Sequence, residues 1–285
     1  MENPMNYFYN QRVKFMTQDH IRGGGYPDET YFNNVQFQRS LDIYKERFAN
    51  ASDFTFVFVG NFTEESITPM IEKYVGSLPS NDQKESWKDL NIRPPKGVVR
   101  KEVFRGDEAK SLVYVYFHNE YDYDRKTNYH LSSLAEVLDI KLLEILREEQ
   151  SGVYSVGAYS RTEKFPYQNY QLIVVFPCGP ENVEALEKTA YEEIRKIQDN
   201  GVSDEDMTKI KETQKREIEV SLKKNGFWQN IIKNSIIYEW DLEEILKYES
   251  RIEELSSDDI QKVAREFFDF ESKATVVLYP ETTKE

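Results

Sequence analysis

The sequence predicts an α+β fold in which helices layer on one face of a sheet. Three observations predict it. From residue 98 onward the hydrophobic pattern reads strand, strand, long helix, strand, strand, several helices and one returning strand, the element order of layered α+β domains. At about 100° per residue, Leu131, Leu134, Ala135, Leu138, Leu142, Ile145 and Leu146 share one stripe, so this stretch is a helix with a core-facing side. After a turn at Ser151-Gly152, Val153 to Ser160 alternates as a strand does, with Tyr154, Val156 and Ala158 on one side.

Taken in order, residues 36–49 read as a helix that leads into Phe54–Val59, a near-continuous apolar run typical of a strand covered on both faces. Gly60-Asn61 ends that run. Thr63 caps the next helix with Ser66 three residues on, and Ile67, Met70, Ile71 and Tyr74 form its stripe. Residues 80–97 are mostly polar, carry Pro94 and Pro95 and follow Pro79, so they read as a linker. Val98–Phe104 and Leu112–Phe117 are the first two strands of the next unit, and 127–149 is its long helix. Val153–Arg161 and Tyr170–Phe176 form a hairpin-like pair. Pro177-Cys178-Gly179-Pro180 ends the second of these and launches a helix over 181–199, which Asn200-Gly201 stops. Ser203-Asp204-Glu205-Asp206, a cap followed by acids in the first turn, starts a helix to residue 223. Helices near 227–238, 241–254 and 257–268 precede a closing strand, Ala274–Tyr279.

Residues 6–59 align without gaps on 225–278 at an offset of 219, pairing Phe8 with Phe227, Tyr44 with Val263, Phe48 with Phe267, and Val57-Phe58-Val59 with Val276-Val277-Leu278. The middle of the alignment matches poorly. The repeat makes residues 1–79 the C-terminal part of one truncated domain, 80–97 the linker, and 98–285 a nearly whole second copy. A fragment of a longer polypeptide, cut inside a domain, is expected.

With 285 residues, 39% hydrophobic and 31% charged, the chain suffices for one large or two smaller cores. No apolar run approaches the roughly 20 residues of a membrane span. The net charge of −14 argues against binding a phosphate backbone, and so against nucleic acid. It favours basic peptides, though solubility alone explains it equally well. Cys178 is the only cysteine, so no internal disulfide and no CxxC metal site form. The opening MENPMNYFYN lacks the basic start and apolar core of a signal peptide.

Arg147 lies roughly 160° round the helix from Leu131, beside Ile140 and Leu143, and Tyr154 follows seven residues later across the turn. Alone, such a pair reads as an exposed arginine favourable to the helix dipole, next to an ordinary strand tyrosine. The whole run Arg147-Glu148-Glu149-Gln150-Ser151-Gly152-Val153-Tyr154, followed by Ser155-Val156-Gly157-Ala158, resembles a motif of the insulinase/pitrilysin-type (M16) zinc metallopeptidases, in their non-metal-binding domains. RFANASDFTFVFVGNFTEE with IEKYVGSLP is similar to the junction between two such domains. The resemblance implies a mostly antiparallel sheet with helices packed on one face, preceded by the tail of a second similar domain. It implies that Arg147 and Tyr154 bind peptide substrate near a zinc site, placing donors where the scissile carbonyl gathers charge. An exposed first strand adds the prospect of pairing with an extended peptide.

The family's zinc motif is H-x-x-E-H with a distant Glu. This chain has only His20, His118 and His130, none with a second His at that spacing, so it carries no metal or catalytic residues of its own. Zinc is expected in an N-terminal half that carries H-x-x-E-H, in the same polypeptide or a partner subunit. The chain alone is then inactive, and the family implies a periplasmic setting. The alternative is a non-catalytic M16-like scaffold or partner-binding subunit, with Ile140 and Leu143 as contacts. Other candidates read as structural: His118-Asn119-Glu120 with Asp122 and Asp124 as a polar loop, Arg22-Gly23-Gly24-Gly25 as a turn, Cys178 as a packed residue. Tyr114, Tyr116, Phe117, Tyr121, Tyr123 and Tyr129 read as core and rim rather than a peptide groove.

Overall fold

A computed structural model describes the chain except for residues 1–2, 28, 82, 150–155 and 284–285 and the side chains of 146–149 and 283. The helices are α1 (Pro4–Met16), α2 (Glu29–Asn33), α3 (Phe37–Phe48), α4 (Glu64–Tyr74), α5 (Arg125–Glu149), α6 (Val183–Asn200), α7 (Asp204–Ser221), α8 (Asn225–Tyr238), α9 (Tyr248–Glu254) and α10 (Ser257–Phe267). The strands are β1 (Val98–Phe104), β2 (Ser111–Glu120), β3 (Gly157–Glu163), β4 (Asn169–Cys178) and β5 (Lys273–Tyr279). Two compact units divide the chain. One comprises Met1–Tyr26, Asp89–Gln214 and Glu249–Glu285, the other Pro27–Lys88 and Lys215–Tyr248.

The first unit is a mixed α+β domain. Its five-stranded sheet has the order β1-β5-β2-β4-β3, parallel between β1 and β5 and antiparallel at the other pairings. The closing strand therefore returns to the interior of the sheet. Alternation along β2 sends Val113, Val115 and Phe117 to one face, where Leu172, Val174 and Phe176 of β4 and Val277 of β5 join them. Against that face lie Leu131, Leu134, Leu138 and Leu142 of α5, Leu186, Ile194 and Ile197 of α6, and Ile260 and Phe267 of α10. Asp124 accepts the backbone N–H of Thr127 at 2.7 Å and so caps α5. Gly201 stops α6 at φ 73°, and the next backbone N–H, of Val202, donates to Ser257 Oγ at 2.8 Å, which ties the turn to the start of α10.

The other sheet face carries a smaller core. Phe8 of α1, 2% exposed, packs with Val103, Tyr116, Ile173, Ala274, Val276 and Leu278. Asn3 starts α1 by accepting from the N–H groups of Met5 and Asn6, with Pro4 in the first turn. This helix, which hydrophobic period does not announce, is what covers part of the second face.

In the second unit, Tyr44, Phe48 and Phe54 stack in series, with ring centres 4.7 and 5.5 Å apart. Asn50 closes the corner after α3, accepting from the Asn81 N–H at 2.9 Å and donating to the Gln83 carbonyl at 2.6 Å. Thr63 and Ser66 form the expected reciprocal cap of α4, but Met70 and Tyr74 of its stripe stay exposed. The strand expected at Phe54–Val59 is not formed. The segment has no ladder partner among the described residues, and Phe54, Phe56 and Phe58 remain exposed. A strand exists only through its neighbours' hydrogen bonds, and among the described residues none pairs with this segment. The helix expected over 241–254 is also split: Leu242–Lys247 is a 3₁₀ turn begun by Asp241, whose carboxylate accepts the Glu243 N–H. Shifting by 219 residues lays α2 on α9, α3 on α10, most of α1 on α8, and Phe54–Val59 on β5.

Two outcomes test this packing. Leu138→Ala, at a site 1% exposed against the sheet, lowers unfolding stability by about 2–5 kcal/mol in urea titration, while the equivalent change at exposed Leu246 shifts it by less than about 1 kcal/mol. Burial holds His118 and His130 below the usual imidazole range, for His130 against the opposing pull of Asp259. Their folded pKa values lie below the unfolded 6.5, so the unfolded chain takes up protons first and stability falls as pH drops below that value. The loss reaches at most about 1.4 kcal/mol per pH unit for each histidine, and His118→Gln makes the decline between pH 7 and 5.5 shallower.

Candidate functional site

The corner where α5 runs toward β3 is built from both elements. Asp139, roughly 80° round the helix from Leu131 and so at the stripe's margin, accepts the backbone N–H of Ala158 on β3 at 2.9 Å. On the opposite margin, Lys141 donates to Asp206 of α7 at 2.9 Å and lies 3.8 Å from Glu193 of α6. Glu193 is 5% exposed and also receives Lys196 at 3.0 Å, so a buried carboxylate is held by two cations. Deeper in the same layer, Gln214 donates to Ser133 Oγ at 2.9 Å and to Glu136 at 2.7 Å, and accepts from Tyr129 at 2.7 Å. These contacts refine the rotation that the buried leucine stripe of α5 sets.

Residue 147 lies on α5, two positions before its end at Glu149, but the Arg147 side chain is outside the described residues. Tyr154 lies outside them altogether, as does the expected start of its strand at Val153. Ile140, the contact named under the scaffold alternative, is half-buried and packs against the main core. Sequence reasoning missed Asp139. Its signal was a carboxylate at the edge of an apolar stripe, where an acid stays only if something donates to it.

A cleft of about 510 Å³ opens on the sheet face that carries α1. Its walls include Tyr9 and Arg12 of α1, the Gly23–Gly25 turn and Arg93, and its floor includes Tyr116, Ile173 and Tyr159. Arg12 follows Phe8 by one helical turn, which places it on the same side of α1. Its Nη1 donates to the Tyr116 hydroxyl at 2.8 Å, and its guanidinium lies 4.2 Å from the ring centre of Tyr114. Arg93 stacks 3.4 Å over Tyr167 and pairs with Asp89 at 2.6 Å and Glu120 at 3.4 Å, while Arg161 pairs with Glu163 at 2.6 Å.

The remaining candidates have structural occupations. Phe117 is core, Tyr116 is buried on the second face, and Tyr121 packs edge-on against Tyr170 and Phe267. Cys178 is buried, which pushes its thiol up to about 12 and leaves it inert near neutrality. Among the described residues no three His, Cys, Asp or Glu groups converge as metal ligands. His118 sits in the sheet and His130 lies 3.9 Å from Asp259, so the histidines do not fit a shared zinc site.

The family model of the peptidase M16 inactive domain matches residues 34–214. A zinc protease PQQL-like protein of Arabidopsis thaliana is 27% identical over 222 residues, covering 72% of this chain and 23% of that protein. The probable zinc protease PqqL of Escherichia coli is 22% identical over 229 residues, covering 78% of this chain and 24% of its own length. The chain thus spans about a quarter of these relatives. The crystal structure of the periplasmic protease PqqL from Escherichia coli matches with a TM-score of 0.80 at 20% identity, over 98% of this chain and 31% of that one. A peptidase M16 inactive domain from Pseudomonas fluorescens matches with a TM-score of 0.73 at 14% identity, over 98% and 66%. With 181 of its residues inside the family model and its sheet matched by solved members, the chain belongs to the peptidase M16 inactive-domain family.

Proposed function

We propose that this chain is the C-terminal, non-catalytic part of a zinc peptidase, closing one side of a chamber and positioning peptide substrate at a zinc site held by an N-terminal half. The observation that carries the reading is the inactive-domain match over 34–214, which contains the Arg147-to-Tyr154 motif. Arg147 and Tyr154 are the substrate-binding residues, the one a fixed fork of donors, the other a hydroxyl able to follow a carbonyl oxygen as it becomes an oxyanion. The zinc, held by an H-x-x-E-H motif in the other half, supplies an activated water. This chain's part is to orient the peptide. Asp139 supports that role from behind, because its bond to Ala158 joins the two elements that flank the motif.

In the same reading, residues 1–79 are the tail of a preceding M16-like domain, 80–97 a linker and 98–285 the C-terminal domain. The matching helices at the 219-residue offset support that division. The setting is periplasmic, as stated of the Escherichia coli PqqL protease.

The test is peptide turnover by the enzyme that contains this chain together with the zinc-bearing half. Arg147→Ala and Tyr154→Phe each lower kcat/KM by roughly ten- to a thousand-fold while zinc content stays unchanged. Unaltered kinetics in both variants overturn the assignment and favour a scaffold subunit. Asp139→Ala, which removes the acceptor for Ala158, lowers turnover in the same assay, and Asp139→Asn, which keeps one, restores most of it. An Asp139→Ala enzyme with full activity would show that the corner holds its shape without this bond.

A further inference from the structure

The cleft on the α1 face of this strongly acidic protein holds an arginine that makes no ion pair among the described residues. Three arginines line it. Arg93 and Arg161 are each paired with carboxylates, but among the described residues none lies within ion-pair distance of Arg12. Arg12 is instead held by tyrosines: the Tyr116 hydroxyl at 2.8 Å, the Tyr114 ring at 4.2 Å and the Tyr9 ring at 5.3 Å. A guanidinium has five N–H donors, and a phenol accepts only one of them without neutralising the charge. The tyrosines also fix the plane of the fork, so a ligand that binds it has little side-chain motion left to arrest.

The surroundings suit an extended chain. The floor is a cross-strand row, Tyr116 opposite Ile173 and Ile173 opposite Tyr159. Beside it runs β3, an edge strand that pairs only with β4 among the described residues, so beyond Ala158, whose N–H is taken by Asp139, one row of its N–H and C=O groups faces outward. Two residues beyond Tyr116 on the same face of β2, buried His118 has no hydrogen-bond partner for Nε2 among the described residues, and it lines an adjoining pocket of about 200 Å³. Arg93, Pro94, Tyr167 and Asn169 line both spaces.

We propose that this cleft binds the carboxylate of an extended peptide on Arg12, with the peptide main chain running beside the outward edge of β3. The carboxylate comes from an Asp or Glu side chain or from the peptide C-terminus, which are the same chemistry to a guanidinium. The proposal deepens the peptide-positioning reading and rests on it for the nature of the ligand, but it concerns binding, which is read without any hydrolysis.

The experiment titrates short acetylated peptides of alanine, serine and threonine into the full chain at low salt, following heteronuclear NMR shifts. One peptide has a free C-terminus, one a central glutamate and an amidated C-terminus, and one neither charge. The expected result is that at least one acidic peptide binds roughly ten-fold or more tightly than the neutral peptide, the better of the two identifying the source of the carboxylate. Arg12→Gln abolishes that preference and leaves the weak affinity for the neutral peptide, while Arg39→Gln, on α3, changes nothing. Arg12→Lys, which keeps a point charge without the fork, retains part of the preference and guards against a folding defect in the glutamine variant. Equal affinity for all three peptides, or an acid preference that survives in folded Arg12→Gln, overturns the proposal. The two readings fail separately: loss of the acid preference leaves any effect of Arg147→Ala on turnover in place, and unaltered turnover in Arg147→Ala leaves binding at Arg12 to be read directly.

Discussion

The leucine stripe of α5 seated on the inner face of the sheet is the contact on which the rest of the first unit depends. Leu131, Leu134, Leu138 and Leu142 are essentially unexposed and meet strand residues such as Phe117 and Val174. Burying each contributes about 1.5–3 kcal/mol, more than the Lys141 ion pairs at the helix's margin, whose attraction is largely offset by the desolvation of partly buried charges. The stripe fixes the helix's rotation, and the polar contacts refine it: Lys141 toward Asp206 and Glu193 on one side, Asp139 toward Ala158 on the other. Rotation in turn decides on which side residue 147 leaves the helix. The geometry of any site at the α5–β3 corner is thus set by a hydrophobic contact that lies about one to four turns away.

The sheet's two faces do different things. One is closed by α5, α6 and α10, with α7 contributing Met207 and Ile210. Among the described residues the other carries α1, and β3 and β4 lie toward the cleft. Placing β5 between β1 and β2 makes the arrangement depend on the far C-terminal part of the chain. The second unit supplies the control for that statement. Phe54–Val59 corresponds to β5 at the 219-residue offset and is equally apolar, yet among the described residues no strand flanks it, and its phenylalanines stay exposed. Apolar, β-favouring sequence does not make a strand; neighbours do.

That contrast explains what was legible beforehand. The α+β class, β1, the hairpin of β3 and β4, α6 with its glycine stop and β5 were readable because each is set by local period or by a cap. Strand order, the parallel pairing of β1 with β5 and the absence of a ladder at Phe54–Val59 depend on contacts far apart in sequence. The helix α1 escaped notice for the same reason: its essential contact, Phe8 among β-strand side chains, is a single residue rather than a repeating stripe. At the candidate site the motif carrying Arg147 and Tyr154 was visible as sequence, whereas Asp139 and Arg12 matter through partners 19 and 104 residues away.

Net charge and local charge point in opposite directions, and magnitude decides between them. Spread over the molecule, the −14 charge acts on a ligand from tens of ångströms away, where screening at about 8 Å reduces it to a few tenths of a kcal/mol. A carboxylate about 4 Å from a partly shielded guanidinium gains roughly 4 kcal/mol before desolvation is counted. Acidity therefore slows the approach of an acidic peptide without forbidding its capture, and makes the capture selective, since elsewhere on the surface such a peptide meets mostly its own sign. Arg12 suits that task better than the paired arginines beside it, because among the described residues no carboxylate has to be displaced from it first.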